Sequence, residues 1–536
     1  MKLQLAIVPA VIFVFCSLAS PHLLSAQKHA QRRPEVTYDA YHDTSLPVRE
    51  YSMATPQGVA RERPEHRRPR GVLSDATVKV TDRAEQTYAA PLVSATIGLN
   101  FEGTPDSANG SLAEWPPDNN LAVGATQVVE ATNTAYEVYD KATGKSVFGP
   151  QQISALFTGV PGLCGQGVNS PDFSDPIVVY DQINNRWIIT IIGYDSNATT
   201  GNECIAVSTS SDAAGKYHRY VFKFGANALN DYPKLGVWPD AYYASYNIYV
   251  DSGYTGVEAC AYDSAAMLSG AKAKAVCFIV HGTWHDSDEF SLLPANLDGA
   301  TRPSSGEPNF FVDLFSATSL HLFRFRVDFA NPKSSKFTGP TSIAVKAFTM
   351  APGICIPQPG TSQTVDSVGD RLMFRLAYRN FTTHESLVVT HSVQTSKAIS
   401  GERWYEIRDP NGTPKVFQQG TFTEGGNSLW MGSIAMDKVG DMALGFSESN
   451  ASTLHPSIAF TGRVPSDPLG RMEAPATIFK GPGSQWYIGR WGDYSSMAID
   501  PTDDCTFWYV NQYIPSTNNA RDFHTRVATL KFPTCQ

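Results

Sequence analysis

The segment Asp175-Pro-Ile-Val-Val-Tyr-Asp181, followed by Arg186-Trp-Ile-Ile-Thr-Ile-Ile-Gly193, carries the pattern that decides the fold. A short alternating apolar strand ends in Asp or Gly, a polar turn follows, and a longer aromatic or β-branched strand comes next. The pattern recurs about 55–70 residues apart, the spacing of units that cannot cover their own apolar faces singly. Besides Asp175, it starts at Asn120, Lys234, a weak fourth point within 292–315, Thr364, Gly432 and Ser495.

Seven such units predict an all-β fold, and more narrowly a seven-bladed β-propeller. Each blade hides its apolar faces between its neighbours, and radial closure leaves only short edges. The last unit offers three strands and no fourth. A spare strand at about residues 94–102 precedes the first unit. We therefore expect this N-terminal strand to join the last blade and close the ring.

The composition excludes several classes of protein. Hydrophobic residues make up 42% of the 536 residues and charged residues 17%, which is typical of a globular chain. The formal net charge of -9 argues against nucleic-acid binding, which needs clustered Lys and Arg. Only one apolar stretch is long enough to suggest a membrane segment, and it lies at the extreme N-terminus.

The N-terminal residues predict export. Lys2, the apolar run 3–18 and the small residues before Gln27 form the layout of a signal peptide at 1–26. Residues 27–93 alternate arginines with glutamates and prolines and lack hydrophobic periodicity, so we predict a disordered, charged leader. The propeller then spans 94–536. We expect a secreted monomer, extracellular or periplasmic, with no transmembrane segment after cleavage.

Cysteine usage agrees with an oxidising compartment. Strand order places the members of three pairs near each other, and these pairs are Cys164 with Cys204, Cys260 with Cys277, and Cys505 with Cys535. Cys355 is left over. None of the cysteine spacings resembles a zinc site. We expect no metal and no cofactor, apart from a structural calcium ion that carboxylates could hold.

Candidate functional residues follow from the repeat, because the starts of inner strands and the loops joining second to third strands converge on one face. The candidate catalytic residues are Asp118, Asp175, Asp231, Asp493, Tyr494 and His384. The candidate binding residues are Lys234, Arg379, Trp430, Glu448, Arg490 and Trp491. An alternative structural role is an Asp that only caps a turn.

Two functions fit these residue types. In the first, the funnel binds an extracellular polysaccharide or a surface protein, with indole faces for sugar stacking and carboxylates as acceptors. In the second, the chain is a carbohydrate-active enzyme. Paired carboxylates would then act as acid and base in glycoside hydrolysis, or a Tyr or His base would act beside a cation in a polysaccharide lyase. We prefer the binding function. The fold does not decide between the two, since propellers host both binding proteins and enzymes.

Several strings resemble a known group of proteins. They are Tyr232-Pro-Lys-Leu-Gly-Val-Trp-Pro-Asp-Ala-Tyr-Tyr243, Arg371-Leu-Met-Phe-Arg-Leu-Ala-Tyr-Arg-Asn380, Trp430-Met-Gly-Ser-Ile-Ala-Met-Asp437 and Arg490-Trp-Gly-Asp-Tyr-Ser495. These strings are similar to large secreted bacterial propellers of acidobacterial type, over nearly all of 95–536. The resemblance implies the fold and export and no activity. The segment 400–404 is a degenerate echo of a sialidase turn, and we discount it because sialidase-like propellers have six blades.

Overall fold

The computed structural model describes residues 32–51, 61–62, 80–87, 90–108, 114–165, 172–281, 289–517 and 522–536. The predicted signal peptide at 1–26 lies outside these residues. Within them, no helix is long and apolar enough to cross a membrane. The prediction of an all-β chain is confirmed, because strands form nearly all of the regular structure.

Seven groups of four antiparallel strands contain most of the strands in the described part of the chain, and we number them sheet 1 to sheet 7. Sheets 1 to 4 contain the following strands in hydrogen-bonded order. Sheet 1 consists of Asn120–Val123, Gln127–Ala131, Ala135–Asp140 and Ser146–Gln152. Sheet 2 consists of Phe173–Asp181, Arg186–Tyr194, Gly201–Ser208 and Tyr217–Lys223. Sheet 3 consists of Ala228–Val237, Tyr242–Val250, Gly253–Tyr262 and Lys274–His281. Sheet 4 consists of Leu293–Asp298, Asn309–Ser316, Ser319–Arg326 and Lys336–Ala344.

Sheets 5 to 7 continue the same order. Sheet 5 consists of Met373–Asn380, Glu385–Gln394, Ser400–Arg408 and Lys415–Phe422. Sheet 6 consists of Ser428–Met436, Met442–Ser449, Ser457–Arg463 and Ala476–Phe479. Sheet 7 consists of Ser496–Ile499, Phe507–Tyr513, His524–Lys531 and Thr96–Glu102. The outermost strand of sheet 7 therefore comes from the N-terminal side of sheet 1 and pairs antiparallel with His524–Lys531.

Minor elements decorate the sheets. The short strands are Glu35–Tyr38, Tyr41–Thr44, Arg61–Glu62, Glu114–Trp115, Thr349–Met350, Ile354–Ile356 and Val365–Asp366. The helices are Ile153–Leu156 and Ser264–Ser269, with 3-10 turns at Val48–Glu50, Gly162–Gly165 and Pro332–Ser334. The helix that begins at Ser264 is capped by Asp263, whose side chain accepts from the backbone N–H of Ala266 at 3.1 Å.

The first strands of consecutive sheets lie side by side, and the first strand of sheet 7 lies beside that of sheet 1. Side chains link several of these neighbours. Asn120 Oδ1 accepts from the backbone N–H of Val178 at 2.9 Å, and Asn296 Oδ1 accepts from that of Val237 at 3.0 Å. Sheets 4 and 5 are joined directly by parallel pairing of their first strands. Such links satisfy backbone groups that face a neighbouring sheet rather than a strand.

The core lies between the sheets, because each first strand is buried on both of its faces. The largest apolar cluster packs sheets 3, 4 and 5 together through aromatic residues such as Phe311, Phe325 and Phe337. Continuous apolar strands of this kind are expected when both faces are covered. The repeated apolar strands in the sequence therefore reflect packing between sheets.

The fifth repeat is displaced from its predicted position. We expected Thr364 to begin its first strand and Arg371 its second, but the first strand is Met373–Asn380. The short strand Val365–Asp366 instead pairs with Ile354–Ile356 in a separate two-stranded sheet. The segment that starts at Arg371 is long and almost fully buried, as a first strand must be. With this placement, the loop after Asn380 joins the first strand of the sheet to the second. It therefore lies at the end of the sheet opposite to the predicted one.

Part of the segment 27–93 is ordered, which corrects the predicted disorder for these residues. Glu35–Tyr38 pairs with the outermost strand of sheet 3, and Tyr41–Thr44 pairs with that of sheet 2. Arg219 holds Asp43 through two hydrogen bonds, of 2.8 and 2.5 Å. The segment needs no apolar face of its own because it satisfies the open edges of two sheets.

The three predicted disulfides are confirmed. They join Cys164 to Cys204, Cys260 to Cys277, and Cys505 to Cys535. The remaining described cysteine, Cys355, has its thiol 3.1 Å from the carbonyl oxygen of Pro352. The disulfides support an oxidising environment for the folded chain.

Removal of the last disulfide should destabilise the chain. We expect the double variant Cys505→Ser and Cys535→Ser to lose about 3 kcal/mol of unfolding free energy, because the bond closes a long loop in the unfolded chain. The residues lie 30 positions apart. Urea unfolding measures the loss, and Cys355→Ser serves as the control that leaves the midpoint nearly unchanged. Equal midpoints for all three proteins would contradict this prediction.

Candidate functional site

Six of the predicted residues meet where the first strands of sheets 1, 2, 3 and 7 begin. We call this group the central cluster, and its members are Asp118, Asp175, Lys234, Arg490, Asp493 and Tyr494. Charges on Asp493, Asp175, Arg490 and Lys234 all act on Asp118. Residues far apart in the sequence are therefore neighbours, as predicted from the repeat.

The backbone at these strand starts is left-handed. The φ angles are 48° at Asp118, 56° at Asp175, 55° at Tyr232 and 59° at Asp493. Asp tolerates this region better than most residues, whereas Tyr does not. In sheets 2 and 3 the left-handed residue lies in a bulge of the first strand. Bulges redirect side chains and are frequent beside functional sites, where such strain is retained.

Lys234 lies in a cage of aromatic rings. Its Nζ is 3.4 Å from the ring centroid of Tyr232 and 4.2 Å from that of Tyr494. The same nitrogen donates to the carbonyl oxygen of Pro233 at 2.8 Å. Burial lowers the pKa of Lys234 to about 8, although the nearby carboxylates of Asp175 and Asp118 favour its charged form. The lysine therefore remains a hydrogen-bond donor at neutral pH.

The carboxyl groups of the cluster are held by side chains. Asn133 Nδ2 donates to Asp118 Oδ2 at 3.0 Å, and no donor among the described residues reaches the other oxygen of Asp118. Ser174 donates to Asp175 at 2.5 Å. Burial, then the negative charges of Asp493 and Asp175, raise the pKa of Asp118 well above its usual range. The cluster thus contains a carboxyl group that can carry a proton.

Further contacts fix the aromatic walls. Tyr494 donates its hydroxyl to the carbonyl oxygen of Pro176 at 3.2 Å, and Tyr232 donates to that of Asp493 at 3.2 Å. Burial, then the charge of Asp118, raises the pKa of Tyr494 well above its usual value. Tyr494 is therefore a neutral donor here. Its predicted role as a base finds no support in this environment.

Two cations complete the electrostatics. Arg490 forms an ion pair with Asp493 at 2.5 Å. Arg371, which sequence analysis did not single out, lies 4.7 Å from the ring centroid of Tyr232. Correct placement of the fifth repeat would have found it, since it precedes the first strand of sheet 5. Arg371 pairs with Asp370 at 2.7 Å, so four carboxylates and three cations lie in this region.

Asp231 and Glu448 lie outside the central cluster. Asp231 is one residue before Tyr232 and acts on Tyr249, whose pKa is raised chiefly by burial and then by this carboxylate. Glu448 is at the end of the second strand of sheet 6, where Asn427 Nδ2 donates to it at 3.2 Å. Neither carboxylate is among the charges that act on Asp118.

The predicted sugar-stacking role of Trp430 and Trp491 is corrected. Both side chains are completely buried, with ring centroids 5.4 Å apart. They pack in an apolar cluster with Trp115 and Phe523. A sugar cannot stack on an indole that is covered on all sides, so these residues support the strand starts from beneath.

Arg379 and His384 lie at the opposite end of the sheets, which corrects their placement on the same rim. They flank the loop between the first and second strands of sheet 5, because the fifth repeat begins later than predicted. Arg379 forms an ion pair with Asp504 at 2.6 Å. His384 stacks on Phe381 with ring centroids 4.9 Å apart.

Sequence analysis missed two exposed aromatic residues near the cluster. Trp486 is 49% exposed and Tyr487 is 52% exposed. They are held by Gln485, whose Nε2 donates to the carbonyl oxygens of Ile488 and Arg490 at 2.8 and 2.5 Å. This segment leads directly into Arg490. Only the fold could distinguish these exposed rings from Trp430 and Trp491.

Among the described residues, two groups of side chains have metal-ligand atoms close together. Glu258 is beside Cys260 and Cys277, but these cysteines form a disulfide and cannot bind as thiolates. The other group is a buried set of Glu289, Asp313 and His321, in which His321 Nδ1 is 2.9 Å from a carboxylate oxygen of Glu289. A hydrogen bond between the histidine ring and the carboxylate accounts for that contact.

The fold and the site define a class of protein: an all-β chain with a buried acid–base cluster where its first strands begin. No protein-family model and no curated protein matches this chain. It is similar to solved structures at low identity. One is the α-L-arabinanase of Penicillium chrysogenum complexed with arabinobiose, at 9% identity and a TM-score of 0.33, covering 65% of this chain and 96% of that chain.

Two further solved structures are similar to this chain at comparably low identity. The GH43 endo-arabinanase from Bacillus licheniformis has 10% identity and a TM-score of 0.29, covering 64% of this chain and 93% of that chain. The N-terminal domain of Nup159 has 8% identity and a TM-score of 0.36, covering 85% of this chain and 100% of that chain. These values are too low to assign an activity.

Proposed function

We propose that the protein is an exported, seven-bladed β-propeller that binds an extracellular glycan at the end of its sheets where the central cluster lies. Sheets 1 to 7 are the blades, and the strand Thr96–Glu102 closes the ring in the last blade. The ring of adjacent first strands supports this architecture. The three disulfides support export.

The convergence of charges at the central cluster is the observation that carries the binding function. Asp118 and Lys234 are 2% and 0% exposed, and burying such groups costs free energy that apolar side chains would not cost. The cluster and the adjacent Arg371–Asp370 ion pair contain both cations and carboxylates, so they offer hydrogen-bond donors as well as acceptors. Hydroxyl groups of a neutral sugar both donate and accept, which suits this mixture.

One observation favours the alternative, a glycoside hydrolase. The raised pKa of Asp118, caused by burial and by neighbouring carboxylates, is the property of a general acid. Asp175 and Asp493 are candidates for its ionised partner. The same group thus serves as a proton donor to a leaving oxygen in the enzyme and as a hydrogen-bond partner in the binding protein.

A glycan panel tests both functions. Binding by calorimetry and release of reducing ends are measured in parallel on neutral and acidic polysaccharides. We expect Asp118→Asn to weaken binding by about tenfold, since removing one partner of a buried hydrogen bond costs about 1–3 kcal/mol. The matched control is Asp251→Asn, because Asp251 is exposed and has the same φ of 48°.

The outcomes separate the two functions. Binding without turnover, weakened by Asp118→Asn only, supports the binding protein. Turnover that this substitution abolishes supports the hydrolase. If no glycan binds or reacts, or if both variants behave alike, the central cluster is not the site of either function.

A further inference from the structure

A second candidate site lies at the opposite end of the sheets from the central cluster. A cavity of about 790 Å³ opens between the first-to-second-strand loops of sheets 4 and 5. Oxygen-bearing side chains line much of it, among them Glu307, Glu385, Asn380, Thr382, Asp409 and Asn411. This cavity is the larger of the two that His384 lines in the described part of the chain.

Two carboxyl groups meet in this cavity. Glu307 is only 6% exposed, and one of its oxygens, Oε2, accepts from the backbone N–H of Ser304 at 2.9 Å. No donor among the described residues reaches its other oxygen, Oε1. The carboxyl group of Glu385 lies within hydrogen-bond reach of Glu307. Glu385 itself accepts from the hydroxyl of Tyr378 at 2.7 Å.

Two ionised carboxylates in contact repel each other, and a buried oxygen without a donor adds a desolvation cost. A bound cation would remove both penalties at once, because it offsets the repulsion and coordinates the oxygen that has no donor.

We propose that Glu307 and Glu385 bind a calcium ion in this cavity. Carboxylate, amide and hydroxyl oxygens are hard ligands, and calcium accepts six to eight of them in flexible geometry. The cavity leaves room for the waters that would complete the coordination. Magnesium demands a stricter octahedron and retains its waters, so it should bind less tightly.

The other charged groups that face the cavity leave the pair accessible to a cation. Arg408 is engaged by Glu406 at 2.6 Å and stacks 3.4 Å from the ring centroid of Phe417. Burial, then the charge of Arg408, lowers the pKa of His384, so this histidine is neutral above pH 7. Lys415 and Asp409 also line the cavity, with opposite charges.

Calorimetric titration of the whole protein with calcium chloride tests the site, with magnesium chloride as the comparison. We expect calcium to bind with a smaller dissociation constant than magnesium, because magnesium demands a stricter octahedron of ligands. Glu307→Gln and Glu385→Gln should each abolish calcium binding. Asp409→Asn, in the same cavity but outside the pair, should retain it.

Thermal unfolding with and without calcium gives a second readout on the same variants, and it shows whether each variant is folded. Loss of the calcium response in folded Glu307→Gln and Glu385→Gln, with its retention in Asp409→Asn, supports the site. No calcium binding by the unaltered protein at pH 8 would overturn it, as would binding that survives either Gln substitution.

Discussion

Raising the pH from 5 to 8 is expected to lower the free energy of unfolding by at least about 3 kcal/mol, the equivalent of one strongly shifted group. Several buried carboxyl groups keep their protons in the folded chain. Burial raises the pKa of Glu130 and Glu402 to about 7, and that of Glu203 to about 8.

The direction of this pH dependence follows from the linkage between proton binding and folding. The folded-state pKa of each carboxyl lies above its unfolded value, so its contribution is fully present below about pH 4.5 and is lost as the pH rises through the folded value. His391 acts in the opposite direction, because burial lowers its pKa to about 3. Its effect ends near pH 6.5, the unfolded value of histidine. The carboxyl groups therefore dominate between pH 6.5 and 8.

Chemical denaturation at several pH values measures this dependence. Glu203→Gln should flatten the curve, because the amide cannot ionise and can still accept from Asn230 Nδ2, which lies 3.0 Å from the carboxylate. Glu424→Gln is the control, since Glu424 is only partly buried. A free energy of unfolding that is constant or rises from pH 6.5 to 8 would contradict the prediction.

Replacing Lys234 with methionine should destabilise the protein by about 3 kcal/mol at pH 8, because breaking a buried ion network leaves uncompensated charge. Lys234 is completely buried, and Asp175 and Asp118 are the first carboxylates that act on it. At lower pH the loss should be smaller, because burial and the neighbouring carboxylates raise the pKa of Asp118 and its protonated form needs no counter-ion.

A double variant separates electrostatics from packing. Adding Asp118→Asn to Lys234→Met removes one of the stranded carboxylates and should restore part of the lost stability at pH 8. Lys438→Met is the control, because Lys438 is exposed and donates only to backbone oxygens. An equal loss at both pH values, or no restoration in the double variant, would show that the lysine acts through packing alone.

The repeat shows how much of the fold a local sequence pattern can predict. The repeated pattern located the first strands that contain Asp175 and Ser496, because a strand packed between two sheets carries a run of apolar residues. It failed at the fifth repeat. There the buried strand Met373–Asn380 carries Arg375, whose guanidinium pairs with Asp298 at 2.6 Å. A cation inside a core strand hides the apolar signal, and only its distant partner explains it.

The predictions for the segment 27–93 and for the tryptophans failed for a related reason. Glu35–Tyr38 is too polar to predict a strand, yet it satisfies an open edge that another part of the chain creates. Trp430 and Trp486 have similar local sequence signals. One is completely buried and the other is 49% exposed, because burial depends on what the neighbouring sheets cover.

The sequence by itself determined the all-β class, the disulfide pairs and the strand starts from which the central cluster is drawn. These depend on local alternation and on strand order, both of which can be deduced from neighbouring residues. Only the tertiary structure decided which polar and charged side chains meet, as Lys234 does with Tyr494 and Glu307 does with Glu385. A pKa and a buried contact depend on groups hundreds of residues away, and distance along the chain carries no information about their electrostatic field.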